Sequence, residues 1–133
     1  MQPRLLLDTH ILIRWLFESR KLTRTQTQAM ESAARRGEPL AISALTLLEL
    51  AVLTNGVRPA LEVALDEVFR ILRAGSSFQI LPLTFEVAQE AGWLDSLRDP
   101  ADRAIVATAR VHRLRLVTSD QRITDSTLVS VVE

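Results

Sequence analysis

Short apolar runs alternate with longer helical segments along this chain, and that alternation restricts its fold more than any other feature. The runs have the length and apolar content of buried strands. They predict strands at 4–8, 38–43, 78–83, 114–120 and 127–133. Helices between successive strands indicate parallel pairing, because a parallel strand needs a crossover connection to return to the sheet. We therefore predict one α/β domain over 1–133, with a mostly parallel central sheet of four to five strands sandwiched by helices.

Helix signals fill the intervening segments. Apolar residues at helical spacing, prolines near helix starts and glycines just past helix ends mark the boundaries. They predict helices at 9–19, 23–37, 44–56, 59–75, 84–94 and 99–113. The pair over 44–73 is unusually apolar for a small domain, which favours contact of part of it with another protein.

Composition excludes several classes of protein. The chain has no cysteine among its 133 residues, which excludes a disulfide framework and a thiolate zinc site. The apolar N-terminal stretch is interrupted by Asp8, His10 and Arg14, so no run reaches the roughly 20 residues that span a bilayer. A signal peptide would need a longer apolar segment and a cleavage site. We expect a cytoplasmic protein with no membrane association.

Acidic residues occur where strands and helices are predicted to end or begin. Asp8 closes the first predicted strand and Asp120 closes the fourth. The carboxyl ends of parallel strands meet at one edge of the sheet, where sites in such folds gather. Asp102 lies in the first turn of its helix, and Glu49 lies inside the helix that leaves the second strand. We therefore expect the four carboxylates near one another.

Each acid also has a purely structural explanation. Asp8 and Asp102 are placed to cap helices or complement a helix dipole, and Asp120 is placed to form a turn. Glu49 would face solvent if it lay on the exposed stripe of its helix beside Thr46. As a group, however, clustered carboxylates repel one another unless a cation is present. Hard divalent cations such as Mg²⁺ prefer oxygen ligands, and such sites are suited to phosphodiester hydrolysis.

The charge balance leaves a nucleic-acid substrate open. The 16 basic and 16 acidic residues give a net charge of zero, which argues against a strongly basic nucleic-acid-binding protein. With the four clustered acids set aside, 16 basic residues stand against 12 acidic ones. A metal-loaded active face would therefore accept a phosphate backbone.

Four motifs carry a resemblance to a known family. LLLDTHILIRWL, ISALTLLEL, DPADRAIVATA and LVTSD occur in this order. Together they resemble the PIN-domain ribonucleases, in particular the VapC-type toxins of bacterial toxin–antitoxin pairs, over nearly the whole chain. The resemblance implies a Mg²⁺- or Mn²⁺-dependent endoribonuclease that cleaves RNA and commonly forms a homodimer. It also implies a cognate antitoxin protein that covers the active groove.

The resemblance implies a set of site residues as well. The acids of the family fall on Asp8, Glu49, Asp102 and Asp120. The three aspartates are the implied metal ligands, and the glutamate either ligates the metal or positions the attacking water. Hydroxyl positions beside the first and last acids fall on Thr9 and Thr118.

Residues around Asp102 are predicted to have supporting roles. Asp99 caps the helix or supports the metal site, and Pro100 fixes the turn that presents Asp102. For Arg103, contact with the scissile phosphate and pairing with Asp99 are both open. Leu97 stands in a stretch where close relatives often carry a histidine, so no histidine is expected to act there.

Other singled-out residues are expected to be structural. His10 and His112 are predicted to have no catalytic role. Trp15 and Trp93 are predicted to lie in the core or at a dimer interface, because aromatic side chains dominate both.

Three other functions compete with the toxin. A stand-alone PIN nuclease of RNA maturation would lack an antitoxin, and a degenerate PIN domain would bind RNA without cutting it. A receiver-like signalling domain also gathers acids around Mg²⁺ at strand ends. It needs an aspartate at the end of a central strand and a lysine; here the third strand ends in ILPLT, and the sole lysine, Lys21, is predicted in a loop.

Overall fold

The centre of the protein is a sheet of five strands. In the computed structural model, which describes residues 1–133, the strands are β1 (Leu5–Leu7), β2 (Leu40–Ser43), β3 (Phe78–Leu81), β4 (Arg115–Val117) and β5 (Val131–Val132). Their order across the sheet is β3-β2-β1-β4-β5, and every neighbouring pair is parallel. The predicted fold class, a parallel sheet of four to five strands between helices, is confirmed.

Seven α-helices cover the sheet. They are α1 (Thr9–Phe17), α2 (Arg24–Arg35), α3 (Ala44–Leu53), α4 (Leu65–Arg73), α5 (Phe85–Trp93), α6 (Pro100–His112) and α7 (Gln121–Ser126). A 3₁₀ turn at Ser19–Lys21 separates the first two. None of the helices has both the length and the apolar content needed to cross a membrane.

Apolar side chains fill both faces of the sheet. Along β1, Leu5 and Leu7 join a cluster on one face, whereas Leu6 joins a second cluster on the other. This follows from the alternation of side chains along a strand. Because both faces are buried, the strand is continuously apolar instead of alternating between apolar and polar residues. The first cluster packs under α1 to α4, and the second packs under α5, α6 and α7.

Helix caps bring acidic side chains to the carboxyl edge of the sheet. Every α-helix except α4 begins after a residue whose side chain accepts a hydrogen bond from the first turn. In three of these helices the cap is an aspartate, namely Asp8, Asp99 and Asp120. Carboxylates are favoured at such positions by the unpaired N–H groups and the helix dipole. Asp8 follows β1 directly, and Asp120 follows β4 after Thr118 and Ser119.

The segment between α3 and α4 departs from the predicted helix over 59–75. Residues 54–64 form turns, and the helix begins at Leu65. The backbone N–H of Leu61 donates to the carbonyl oxygen of Leu53 at 2.9 Å, which ties this segment back to α3. Leu61 and Val63 also pack against the first apolar cluster. Tertiary contacts therefore override the helical spacing of this segment.

One more expectation needs correction: residues 121–126, which carried no helix prediction, form α7 between β4 and β5. Trp93 is 69% exposed, which excludes the core and leaves the dimer interface as its predicted place. Trp15 is half-buried and packs against the first apolar cluster, as predicted.

Candidate active site

A polar cleft of about 460 Å³ lies at the carboxyl edge of the sheet. It is lined by the four acids that the sequence singled out, Asp8, Glu49, Asp102 and Asp120, and also by Asp99. They arrive on different elements: the ends of β1 and β4, the body of α3 and the start of α6. The structure thus brings together the acids that were expected to converge.

The hydroxyl of Thr118 joins two of these acids. Thr118 is fully buried, and its Oγ1 donates to Oδ2 of Asp8 at 2.8 Å. The same oxygen accepts a hydrogen bond from the backbone N–H of Asp120 at 3.0 Å. The other oxygen of Asp8, Oδ1, accepts from the backbone N–H of Thr9 at 2.8 Å. Asp8 is therefore held in one orientation by neutral donors.

A second buried hydroxyl orients Glu49. Thr9 Oγ1 donates to Oε1 of Glu49 at 2.6 Å and lies 2.9 Å from Oγ1 of Thr46. A hydroxyl has a single hydrogen, so Thr46 must be the donor in the contact between the two threonines. The hydrogen bonds therefore run from Thr46 through Thr9 to Glu49.

This arrangement excludes the explanation that Glu49 lies on an exposed face of α3 beside Thr46. Thr46, expected beside it on an exposed stripe, is fully buried, and Glu49 is half-buried with its carboxylate turned to Thr9. The exposed residues of α3 are instead Leu48 and Val52. A helix that is apolar on nearly all sides gives no reliable sign of which face is buried.

Asp99 caps α6 and Asp102 lies half-buried behind it. Oδ1 of Asp99 accepts from the backbone N–H groups of Ala101 at 2.8 Å and Asp102 at 3.4 Å, and Pro100 occupies the first helical position. Burial raises the pKa of Asp102 to about 6, with further increases from the negative charges of Asp99, Asp120 and Asp8. The carboxyl of Asp102 thus lies where one more negative charge is unfavourable.

Arg122, which the sequence did not single out, is the basic residue that pairs with the acids of the cleft. Its guanidinium donates to Oδ1 and Oδ2 of Asp120, from Nε at 3.2 Å and from Nη2 at 2.9 Å. Nη2 also lies 3.5 Å from Oδ2 of Asp102. The hydrogen bonds from Arg122 lower the pKa of Asp120 below its usual value. The sequence does place Arg122 two residues after a capping aspartate, a spacing that favours pairing between the two. That signal can be read only once α7 is recognised as a helix.

Arg103 does not pair with Asp99, which was one of its two expected contacts. Its Nε donates to the carbonyl oxygen of Leu97, and its Nη2 donates to that of Asp95 at 3.5 Å. It therefore braces the loop before α6. His10 is exposed and lines the cleft, and its predicted lack of a catalytic role stays a prediction. Arg14, one helical turn further along α1, lines the cleft beside it.

The donor chemistry of the cleft fits a hard divalent cation. All four acids offer oxygen ligands, and their mutual repulsion is relieved by positive charge. No three acidic or histidine side chains, however, are grouped tightly enough to enclose an ion by themselves. Asp8 and Asp120 already use both oxygens on protein donors. This arrangement suits an ion such as Mg²⁺ that takes one or two carboxylates and keeps several waters.

Comparison with known proteins gives consistent results. The family model of the PIN domain matches residues 5–126. Ribonuclease VapC22 of Mycobacterium tuberculosis is 35% identical over 120 residues, which are 89% of this chain and 88% of the relative.

Two solved structures show the same fold. VapBC2 from Rickettsia felis, bound to a DNA fragment from their promoter, superposes with a TM-score of 0.71 at 15% identity, over 98% of this chain and 97% of that one. A toxin–antitoxin complex from Klebsiella pneumoniae gives 0.58 at 28% identity, over 87% and 86%. Since a domain model spans most of the chain and a ribonuclease shares 35% of the aligned residues, this chain belongs to the PIN-domain family, among the VapC ribonucleases.

Proposed function

We propose that this chain is a Mg²⁺- or Mn²⁺-dependent endoribonuclease and the toxin of a toxin–antitoxin pair, with 1–133 acting as one PIN domain in the cytoplasm. One observation carries the proposal. Asp102 is a half-buried acid with a pKa raised to about 6, in a cleft shared with four other acids at the sheet edge. Perturbed carboxylates in a cleft are typical of functional sites. The relative named Ribonuclease VapC22 supports RNA as the substrate.

The acids and threonines of the cleft have separate roles in the proposed hydrolysis. Asp8, Asp102 and Asp120 would hold the divalent cation, directly or through water. A cation bound there supplies a nucleophilic water at neutral pH and neutralises charge on the phosphate. Thr118 keeps Asp8 oriented toward the cleft, and Thr9 holds Glu49 by its Oε1 atom. This leaves Oε2 of Glu49 to accept a proton from the attacking water or to bind the cation.

Partners are proposed from the exposed apolar surface. Leu48 and Val52 of α3 are 60% and 67% exposed, and Phe85 and Trp93 of α5 are 95% and 69% exposed. Exposed apolar patches on a protein of this size mark contact sites. We assign them to an antitoxin and to a second copy of this chain, in keeping with the toxin–antitoxin complex among the similar structures.

The test is cleavage of total cellular RNA by the purified protein, freed of any antitoxin. Discrete fragments should form with Mg²⁺ or Mn²⁺, disappear with EDTA and disappear in Asp102→Ala. Asp66→Ala is the matched control, because Asp66 is an exposed acid in the first turn of α4, away from the cleft. Cleavage that survives Asp102→Ala would contradict the proposed site. A folded wild-type protein that binds RNA but never cleaves it would be a degenerate PIN domain instead.

Association is tested separately. Light scattering coupled to size-exclusion chromatography should show a dimer that dissociates in Phe85→Asp. Co-expression with the product of any small open reading frame found immediately upstream of the gene should give a stable complex without ribonuclease activity. A monomeric, uninhibited nuclease would favour the stand-alone enzyme of RNA maturation.

A further inference from the structure

Arg122 holds two of the three aspartates that we propose as metal ligands. Its guanidinium takes both carboxylate oxygens of Asp120 and lies 3.5 Å from Oδ2 of Asp102. No other basic side chain makes an ion pair with an acid of the cleft. Any cation that binds these carboxylates must therefore compete with Arg122.

The ion pairs of Arg122 with Asp102 and Asp120 can be exchanged for other contacts. The side chain of Arg122 is 75% exposed, whereas those of Asp102 and Asp120 are 20% and 22% exposed. An ion pair so open to water is weak, because solvent and salt screen it. A guanidinium also binds a phosphate group as well as it binds a carboxylate, through the same pair of parallel hydrogen bonds. Arg122 lines the cleft, where a phosphate of the substrate would offer that alternative.

We propose that Arg122 couples RNA binding to metal binding. In the free protein its guanidinium holds Asp102 and Asp120, and a phosphate of bound RNA draws it away and frees both carboxylates for the divalent cation. The coupling is reciprocal, so a bound cation also frees Arg122 for the phosphate. This inference rests on the proposed function, and it assigns to Arg122 the positioning of substrate and the setting of metal affinity.

The experiment measures each half of the coupling without turnover. Mn²⁺ binding to the RNA-free protein is followed by isothermal titration calorimetry at pH 8, so that Asp102 is ionised in every variant. Binding of a fluorescent RNA oligonucleotide is followed by anisotropy in EDTA. In Arg122→Gln we expect Mn²⁺ to bind about two- to fivefold more tightly, because a competing exposed ion pair is gone. RNA should bind about tenfold more weakly, because a charged hydrogen-bond donor to phosphate is lost.

Two further variants separate this role from charge alone. Arg98→Gln removes the same charge from a neighbouring exposed arginine that makes no ion pair. A charge that is not in contact is screened by salt, so its effect on Mn²⁺ affinity should stay below about 1.5-fold. Arg122→Lys keeps the charge but cannot bridge two carboxylates with a planar fork, and should give an intermediate Mn²⁺ affinity.

The possible outcomes are distinct. Tighter Mn²⁺ binding with weaker RNA binding, specific to Arg122, supports the coupling. If wild type binds Mn²⁺ and cleaves RNA but Arg122→Gln leaves either affinity unchanged, the coupling is overturned and the proposed function stands. An equal shift in Arg98→Gln overturns it too, since the effect would be general electrostatics. A wild type that neither binds Mn²⁺ nor cleaves RNA overturns both proposals.

Discussion

In one half of the cleft, Asp8 and Glu49 accept hydrogen bonds from buried threonine hydroxyls; in the other half, Asp102 and Asp120 share the exposed guanidinium of Arg122. We call these the hydroxyl half and the guanidinium half. Neutral buried donors fix the first pair in place without changing the charge of the cleft. An exposed guanidinium stabilises the second pair, and another cation can take its place. The hydroxyl half is therefore preorganised, whereas the acids of the guanidinium half can exchange one cation for another.

The guanidinium half should lose the most activity when its buried acid is neutralised. Asp102→Asn keeps the shape of the side chain and removes the charge, so cleavage should fall by about 100-fold or more, measured as initial rate on an RNA substrate. The same variant should be more stable than wild type, by about 1–2 kcal/mol at pH 7.5 without metal, because the half-buried charge is gone.

The difference in stability between Asp102→Asn and wild type should depend on pH. The pKa of Asp102 is about 6 in the folded protein, above its ordinary value of 3.8. Such a carboxyl favours folding while it is protonated, and its favourable contribution is lost as the pH rises from about 4 to 6. The stability of the two proteins in urea unfolding should therefore converge near pH 4. A constant difference between pH 4 and pH 7.5 would contradict the charge explanation.

In the hydroxyl half, Thr118→Val should have the largest effect. The substitution keeps the shape but leaves Oδ2 of Asp8 and the backbone N–H of Asp120 without their partner. We expect a loss of about 1–3 kcal/mol in the free energy of unfolding, measured by urea denaturation. Thr118→Ser is the control, because it keeps the hydroxyl and loses one methyl group. Equal losses in the two variants would mean that packing, and not the hydrogen bonds, is responsible.

The affinity for a metal ion should depend on pH because of Asp102 in the guanidinium half. Protons compete with a cation for Asp102, whose pKa is about 6. Mn²⁺ binding followed by calorimetry should therefore weaken about tenfold between pH 7.5 and pH 5. The pH effect should be much smaller in Asp102→Asn, which has no proton to lose there. The same slope in both proteins would place the titrating group elsewhere.

Thr46→Val should have the smallest effect of the four. It removes the donor to Thr9 but leaves the bond from Thr9 to Glu49 in place. We expect a loss of about 0.5–1.5 kcal/mol in stability by urea denaturation, and a fall in cleavage rate of only a few-fold. Thr46→Ser should match wild type in rate. A loss as large as that of Thr118→Val would show that the two hydroxyls are equally important.

Sequence patterns predicted the fold and the acids because both depend on local features. Apolar runs of strand length and helices between them leave few alternatives to a parallel sheet. Asp8 follows β1 directly and Asp120 follows β4 after two residues, so the topology alone brings them to one edge. Thr9 and Thr118 came only from the resemblance to the family. Their roles as hydrogen-bond donors follow from the geometry, not from their residue types.

The missed features depend on contacts between distant segments. Thr46 is buried because it faces Thr9, 37 residues away, and the apolar surface of α3 gives no sign of this. Arg122 was missed because α7 has only six residues, too few for a periodic pattern. The direction of Arg103 is set by carbonyl oxygens of the loop before α6, which no side-chain pattern encodes.

The position of each half of the cleft in the sheet also determines how often its backbone unfolds locally. Asp8 lies at the end of β1, the central strand, and its backbone N–H bonds to the carbonyl oxygen of Val117 at the end of β4. We expect amide protons at such positions to exchange with solvent only when the whole domain opens, and those in the first turn of a helix as short as α7 to exchange through local fraying. The Asp8 side of the cleft should then last as long as the folded protein, while the six-residue helix that carries Arg122 opens locally many times within that lifetime.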